Sequence, residues 1–462
     1  MKLKYPALLD PNFQPMELVL RDYEERVRNS AHQRLSIALE RHKGYCERFD
    51  FDILQDGLDD ETNFAIVERY IKTLLWVFGG WKIHVSGSRP VYEYLRAAYT
   101  REGLRKFDVW FMGDRVYERE FEVAYWENPD DMPATKHSAK AVGRHLNGCR
   151  IGFDAGGSDR KVSAVIDGET VYSEEVVWHP KTQSDPQYHL DGILDSFRTA
   201  ASKLPRVDGI GVSTAGVTID NRIKVAALFI KVSEEDFHSR VKDIYLTAAK
   251  ALGENVPIEV ANDGDVTALA GAMDLNENGI LGIAMGTSEA GGYVDPNGNI
   301  TGWLNELAFV PVDFNRDAAV DEWSGDYGCG VKYFSQDAVI KLCPAAGIDL
   351  PEELTLAEKL KFVQNLQAQG DPRTRGIYET LGVYFGYEIA YYAMFYDIKH
   401  VLIMGRVTSG TGGVLLLDKA KEVLETEFPE LAKKIELNIP DENSRRVGQS
   451  VAAASLPAIT AG

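Results

Sequence analysis

Cysteine is scarce in this chain, long hydrophobic runs are missing, and positive charge is in deficit. Each shortage removes a class of function. Four cysteines in 462 residues (Cys46, Cys149, Cys329, Cys343) show no paired spacing. They exclude a disulfide scaffold and fit free thiols in a reducing compartment. No apolar run reaches the ~18–20 residues of a membrane span. The opening MKLKYPALLD has no hydrophobic signal core, so a cytoplasmic protein without a membrane partner is expected. Lys and Arg number 50 against 70 Asp and Glu, a net charge of −20, which argues against nucleic acid as a partner. An anionic small molecule is still allowed, because backbone loops and Mg²⁺ can neutralise phosphate on an acidic protein. Residues 1–148 are near neutral, with 22 Lys and Arg against 24 Asp and Glu, so the acidity lies beyond them.

What is present is a 45% hydrophobic chain, long enough for two or three domains. Residues 16–48 carry apolar side chains at roughly helical spacing. A helix is predicted from about Asp60 through FAIVERYIKTLLWVF, ended by Gly79-Gly80. WKIHV reads as a strand, PVYEYLRAAY as a helix and DVWFMGD as another strand. ENPDDMPATKHS (127–138) has linker chemistry, which places a boundary near 140–150. From residue 150 strands and helices alternate. That rhythm indicates a buried sheet covered by helices.

Two glycine-rich segments carry the chemistry. IGFDAGGSDRKVSAVID (151–167) and LGIAMGTSEAGGYVD (281–295) each read as strand, turn, strand. Gly156, Gly157 and Ser158 in the first, and Gly286, Thr287 and Ser288 in the second, offer backbone N–H groups and hydroxyls to phosphate oxygens. Asp154 stands where a carboxylate can hold Mg²⁺ through water. Each segment also reads as a plain tight hairpin. Between them PIEVANDGDVTALAGA sets Asn262-Asp263 at the end of a strand. Asp263 is the candidate general base for a hydroxyl too weakly acidic to ionise alone. Asn262 can both donate to and accept from a polyol. The competing reading is an Asn-Asp cap for the following helix.

On these residues the region 150–462 resembles the ROK family of sugar kinases and sugar-responsive regulators, within the actin/hexokinase-like ATPase superfamily. IGFDAGGS is similar to its first phosphate motif, with Ser158 for the commoner Thr. GIGVSTAGVTID resembles its G-x-G-x-x-x-P-G-x-x-D segment, with Ala215 for Pro, and puts Gly216 beside the sugar. VANDGDVTALAGA resembles the N-D-A-N-x-A-A-x-G-E block, so Asn262 and Asp263 inherit sugar-binding and base roles. IAMGTSEAGGYV resembles the second phosphate motif, altered at Ser288 and Ala290. HVLIMGRVTSG resembles the strand and turn near the adenosine pocket, which brings in Gly405. GWLNELAFVPVD places Glu306 at the sugar-binding glutamate and Phe309 at the family's His. EWSGDYGCGVKYFSQDA resembles the zinc loop. Glu322 and Ser324 replace two of its cysteines, and Cys329 alone remains. Structural zinc needs four N or S ligands, so no zinc is expected. Trp303, Phe309 and Trp323 are candidates to rebuild that side of the pocket, though each reads more readily as core.

The resemblance implies an α/β, two-lobed actin/hexokinase-like (ribonuclease H-like) fold after a small α/β accessory domain. The expected division is 1–148 accessory, 149–262 with 441–462 as lobe I, and 263–440 as lobe II. The implied activity is ATP- and Mg²⁺-dependent phosphorylation of a hexose or related sugar, by a homodimer. Two alternatives share the motifs. One is a non-catalytic sugar sensor, which would not need Asp263. The other is a polyphosphate-dependent glucokinase, which the first loop and the lost cysteines also resemble.

Overall fold

A computed structural model describes residues 3–137, 142–440 and 448–459. The chain divides into two compact units. The first comprises Met1–Ser138, Ile283–Gly291 and Trp303–Ile439, and the second Ala139–Gly282, Gly292–Gly302 and Pro440–Gly462. Of the C-terminal segment expected in lobe I, residues 441–447 and 460–462 lie outside the described residues, as does Ser138 of the expected linker.

In the second unit a five-stranded sheet has the order Ile258–Asn262, Gly209–Thr214, Cys149–Ala155, Asp159–Ile166, Glu169–Val177. The first three strands run parallel, and the last two continue antiparallel. Ile151, Phe153, Ile210 and Val212 are fully buried with Phe197 and Tyr245 in one core. The short helix Gln449–Ala454 lies directly against these strands. It can do so because Gly152 and Gly211 have no side chain. A Cβ on either would stand 1.6 Å from the carbonyl oxygen of Ser450 or Ala453.

In the first unit a four-stranded sheet has the order Cys46–Leu54, His32–Glu40, Lys82–Ser86, Glu122–Trp126. The helix Asp60–Phe78 begins with the Asp59 side chain accepting from the Thr62 N–H and ends at Gly79, where φ is 84°. Both ends match the sequence reading. Residues 16–48 do not form helix throughout. The helix covers Met16–Arg28, and the strand His32–Glu40 follows. Leu35–Leu39 is a continuous buried run, which spacing alone does not separate from helix. DVWFMGD is helical as well, not a strand, across Lys106–Val109 and the π-type turn Trp110–Tyr117.

A second sheet, ordered Glu289–Val294, Ile280–Met285, His400–Met404, Glu436–Asn438, is accompanied by the helices Pro372–Tyr392 and Thr411–Glu427. Residues 1–138, most of the segment expected as an accessory domain, share their unit with 303–439. The helix Asp60–Phe78 explains this. Trp76 is fully buried and packs 4.3 Å, centroid to centroid, from Phe309. Among the described residues no helix is long and apolar enough to cross a membrane.

Candidate active site

The three parallel strands of the second unit end on the chemistry-bearing residues, the usual place for ligands in open α/β sheets. Asp154 is the last residue but one of its strand and is buried. Ser213 Oγ donates to its Oδ1 at 2.7 Å. Gln449 Nε2 donates to Ser213 Oγ at 2.9 Å and to the Asp263 main-chain oxygen at 3.0 Å, tying the two aspartates together. Burial pushes the Asp154 carboxyl up to about 6; the Ser213 bond opposes this and the nearby Asp263 charge adds to it.

Asp263 is half-buried at the first turn of the helix Asp263–Leu275. Burial raises its carboxyl above the ordinary range. The Gly264 N–H, at 3.0 Å, and the charge of Lys181 hold it down. Asn262 caps this helix, its Oδ1 accepting from the Gly264 N–H at 2.7 Å. Its Nδ2 donates to the carbonyl of Gly216 at 2.9 Å. The cap is therefore real, and one N–H and one lone pair of the amide remain for a ligand.

The first glycine turn joins antiparallel strands in which Ala155 faces Arg160. Trp178 pins it through Nε1 to the Gly156 carbonyl (2.8 Å) and its main-chain N–H to the Ser158 carbonyl (3.0 Å). The N–H groups of Gly157 and Ser158 have no acceptor among the described residues. This is a tight hairpin whose donors are available to phosphate oxygens.

In the first unit, the Gly286 N–H donates to the Ser288 carbonyl within the second turn (2.9 Å), and the Thr287 hydroxyl accepts from Arg406 Nη2 (3.0 Å). Gly405 lies beside this turn with φ of 100°, and a Cβ there would stand 2.3 Å from the Met285 carbonyl. Arg406, a cation at a candidate phosphate turn, was not singled out by sequence. Its position directly after Gly405 was the available signal. Glu289, just past Ser288, is buried; burial pushes it up to about 8, and only the Tyr392 hydroxyl, at 3.2 Å, lowers it. Glu306 is half-buried; its main-chain N–H donates to Trp76 (3.0 Å), and that of Asn305 to Val77 (3.0 Å).

Phe309, at the family's His position, is buried against Trp76 and Phe107. Trp303 packs edge-on to Phe78, whereas Trp323 is largely exposed. The loop resembling the zinc knuckle is held by charge. Asp326 receives Arg69 at 2.6 Å, Arg105 at 2.7 Å and Lys72 at 2.9 Å. Against the opposing effect of burial, Lys72, Arg105 and Arg69 hold its carboxyl far below the usual range. The Cys329 thiol, pushed up to about 12 by burial, donates to Asp326 at 3.7 Å. Glu322 pairs with Lys332 at 2.6 Å, and the Ser324 hydroxyl donates to Asp321 at 2.5 Å. Arg69 and Lys72 went unnoticed in the sequence because charged residues at helical spacing ordinarily mark a solvated face, and Arg105 sits in a turn with no pattern to mark it.

No family model and no curated protein matches the sequence. Solved structures do match. A ROK hexokinase from Thermus thermophilus is 17% identical, with a TM-score of 0.50; the match covers 66% of this chain and 97% of that one. A ROK-family transcriptional regulator, a homologue of the E. coli MLC protein, is 18% identical, with a TM-score of 0.51 over 67% of this chain and 79% of that one. At these identities the likeness is one of fold. Over about two thirds of its length the chain has the α/β fold of these ROK structures.

Proposed function

We propose that this protein is a sugar kinase using ATP and Mg²⁺, with Asp263 as general base. One observation carries the reading. At the end of a single sheet stand a half-buried aspartate with a raised pKa, a second, buried aspartate, and a glycine turn with unpaired N–H donors. Helix capping requires Asn262 but not this pairing.

The residues fit the absent groups. Two carboxylates that burial drives toward protonation are relieved by a divalent cation, which Asp154 would hold through water. The Gly157 and Ser158 N–H groups would bind phosphate oxygens. Bound Mg²⁺·ATP supplies the phosphoryl group. Asp263 accepts the proton of the acceptor hydroxyl as that oxygen bonds the γ-phosphorus and the bond to the departing ADP breaks, and the spare amide valences of Asn262 orient the sugar. Glu306 as a sugar ligand, and the Gly286–Ser288 turn and Gly405 as nucleotide contacts, rest on motif resemblance.

A sensor without catalysis is the second reading. It draws on the comparable likeness to the regulator and on Thr287, whose hydroxyl already accepts from Arg406. Purified protein with Mg²⁺, ATP or polyphosphate and a panel of hexoses separates them. Sugar phosphate supports the kinase, and sugar-dependent stabilisation without any product supports the sensor.

A further inference from the structure

Lys181 lies in the turn Pro180–Thr182, just after the edge strand Glu169–Val177 of the second unit. Neither the glycine motif nor the Asn-Asp block contains it. The turn is braced on three sides. Thr182 Oγ1 donates to the His179 carbonyl at 2.9 Å, the His179 N–H donates to the Tyr188 hydroxyl at 3.0 Å, and the Pro180 carbonyl meets His189 Nε2 at 3.0 Å.

From this base the side chain reaches back over the first hairpin. Its Cε and Nζ stand 3.0 and 3.1 Å from the point a Cβ on Gly157 would occupy. Any residue but glycine at 157 would crowd the ammonium. The same charge reaches Asp263, whose carboxylate form it favours. Lys181 is exposed and, among the described residues, makes no salt bridge. Nearby Lys161 differs, lying 3.7 Å from both Asp159 and Glu175. On an acidic chain, a cation held over a turn of unpaired N–H donors and facing the base lacks only an anion.

We propose that Lys181 is a phosphate-binding residue, its ammonium contacting the terminal phosphate of a polyphosphate chain seated above Gly157. The inference rests on the kinase reading and deepens it. A point charge suits this task, since three rotatable donors can follow a phosphate group as it moves toward the acceptor. The proton of the acceptor hydroxyl goes to Asp263 as that oxygen bonds the terminal phosphorus, and the bond from that phosphorus to the rest of the phosphate chain breaks. A nucleoside triphosphate and inorganic polyphosphate present the same chemistry here.

Calorimetric titration of the full chain with Mg²⁺·ATP, Mg²⁺·tripolyphosphate and adenosine, for wild type, Lys181→Met and Lys181→Arg, tests this. The side chain is exposed, so the variants should unfold thermally as wild type does. Lys181→Met should weaken at least one polyphosphate ligand about tenfold or more, leave adenosine unchanged, and be largely rescued by Lys181→Arg. Loss confined to ATP names a nucleotide as the occupant, and loss confined to tripolyphosphate names the inorganic chain. Equal binding by wild type and Lys181→Met overturns the proposal, as does a wild type that binds neither ligand. Lysine-dependent binding with no sugar phosphate formed refutes the kinase reading while the anion site stands.

Discussion

In the proposed kinase reading, Asp263 concentrates the chemical demand on one carboxylate. It must be exposed enough to meet a hydroxyl and buried enough to be basic, and it is half-buried with a raised pKa. Asp263→Asn keeps the shape and removes the base, so kcat should fall by about 10²–10⁴ while sugar binding stays within about twofold. Steady-state kinetics with calorimetry of sugar binding checks both. The pH dependence follows in sign. The base works deprotonated, so activity is lost as pH falls through its raised value. The acid limb of the rate profile should therefore lie above the ordinary carboxylate value of about 4. An acid limb at or below 4 would count against burial of the base.

Among the elements, the strand Glu289–Val294 carries its own pH signature. Glu289 is raised from 4.5 to about 8 by burial, so the folded state binds its proton more tightly than the unfolded chain. That stability is fully present below about 4.5 and is lost as pH rises through 8. Glu289→Gln removes the titration. It should raise stability relative to wild type by about 2 kcal/mol at pH 6 and by about 4–5 kcal/mol at pH 9, where wild type must bury a charge. Denaturant unfolding at the two pH values measures this, and a variant less stable than wild type at pH 9 would contradict it.

The elements also show what could be read from sequence. Both hairpins, the helix Asp60–Phe78 and the strand His400–Met404 follow from turn glycines, caps and apolar runs. The strand His32–Glu40 and the helical Lys106–Tyr117 did not, because both are short apolar runs with no periodicity of their own to decide them. Within the site, Asp154 and Asp263 were legible by motif. Ser213, Gln449 and Lys181 reach them from distant parts of the chain and carry no local signal.

At the scale of the molecule, the N-terminal segment is part of the unit that carries residues 303–439. Its Arg69, Lys72 and Arg105 converge on Asp326, in the loop where the resembled family binds zinc. Removing this anion leaves three buried cations with only Glu68, on Arg105, and Asp108, 3.6 Å from Lys72, to balance them. Asp326→Asn should therefore cost about 3–5 kcal/mol in denaturant unfolding, far more than loss of a surface pair; a change below about 1 kcal/mol would show that the cluster does not hold the loop. The kinase reading itself is tested most directly by phosphoryl transfer. Wild type and Asp263→Asn are incubated with Mg²⁺, ATP and each of a panel of hexoses, and sugar phosphate is measured. A sugar phosphate from wild type, lost in Asp263→Asn, is the expected result. No product from any sugar with ATP, or undiminished product from Asp263→Asn, would contradict it.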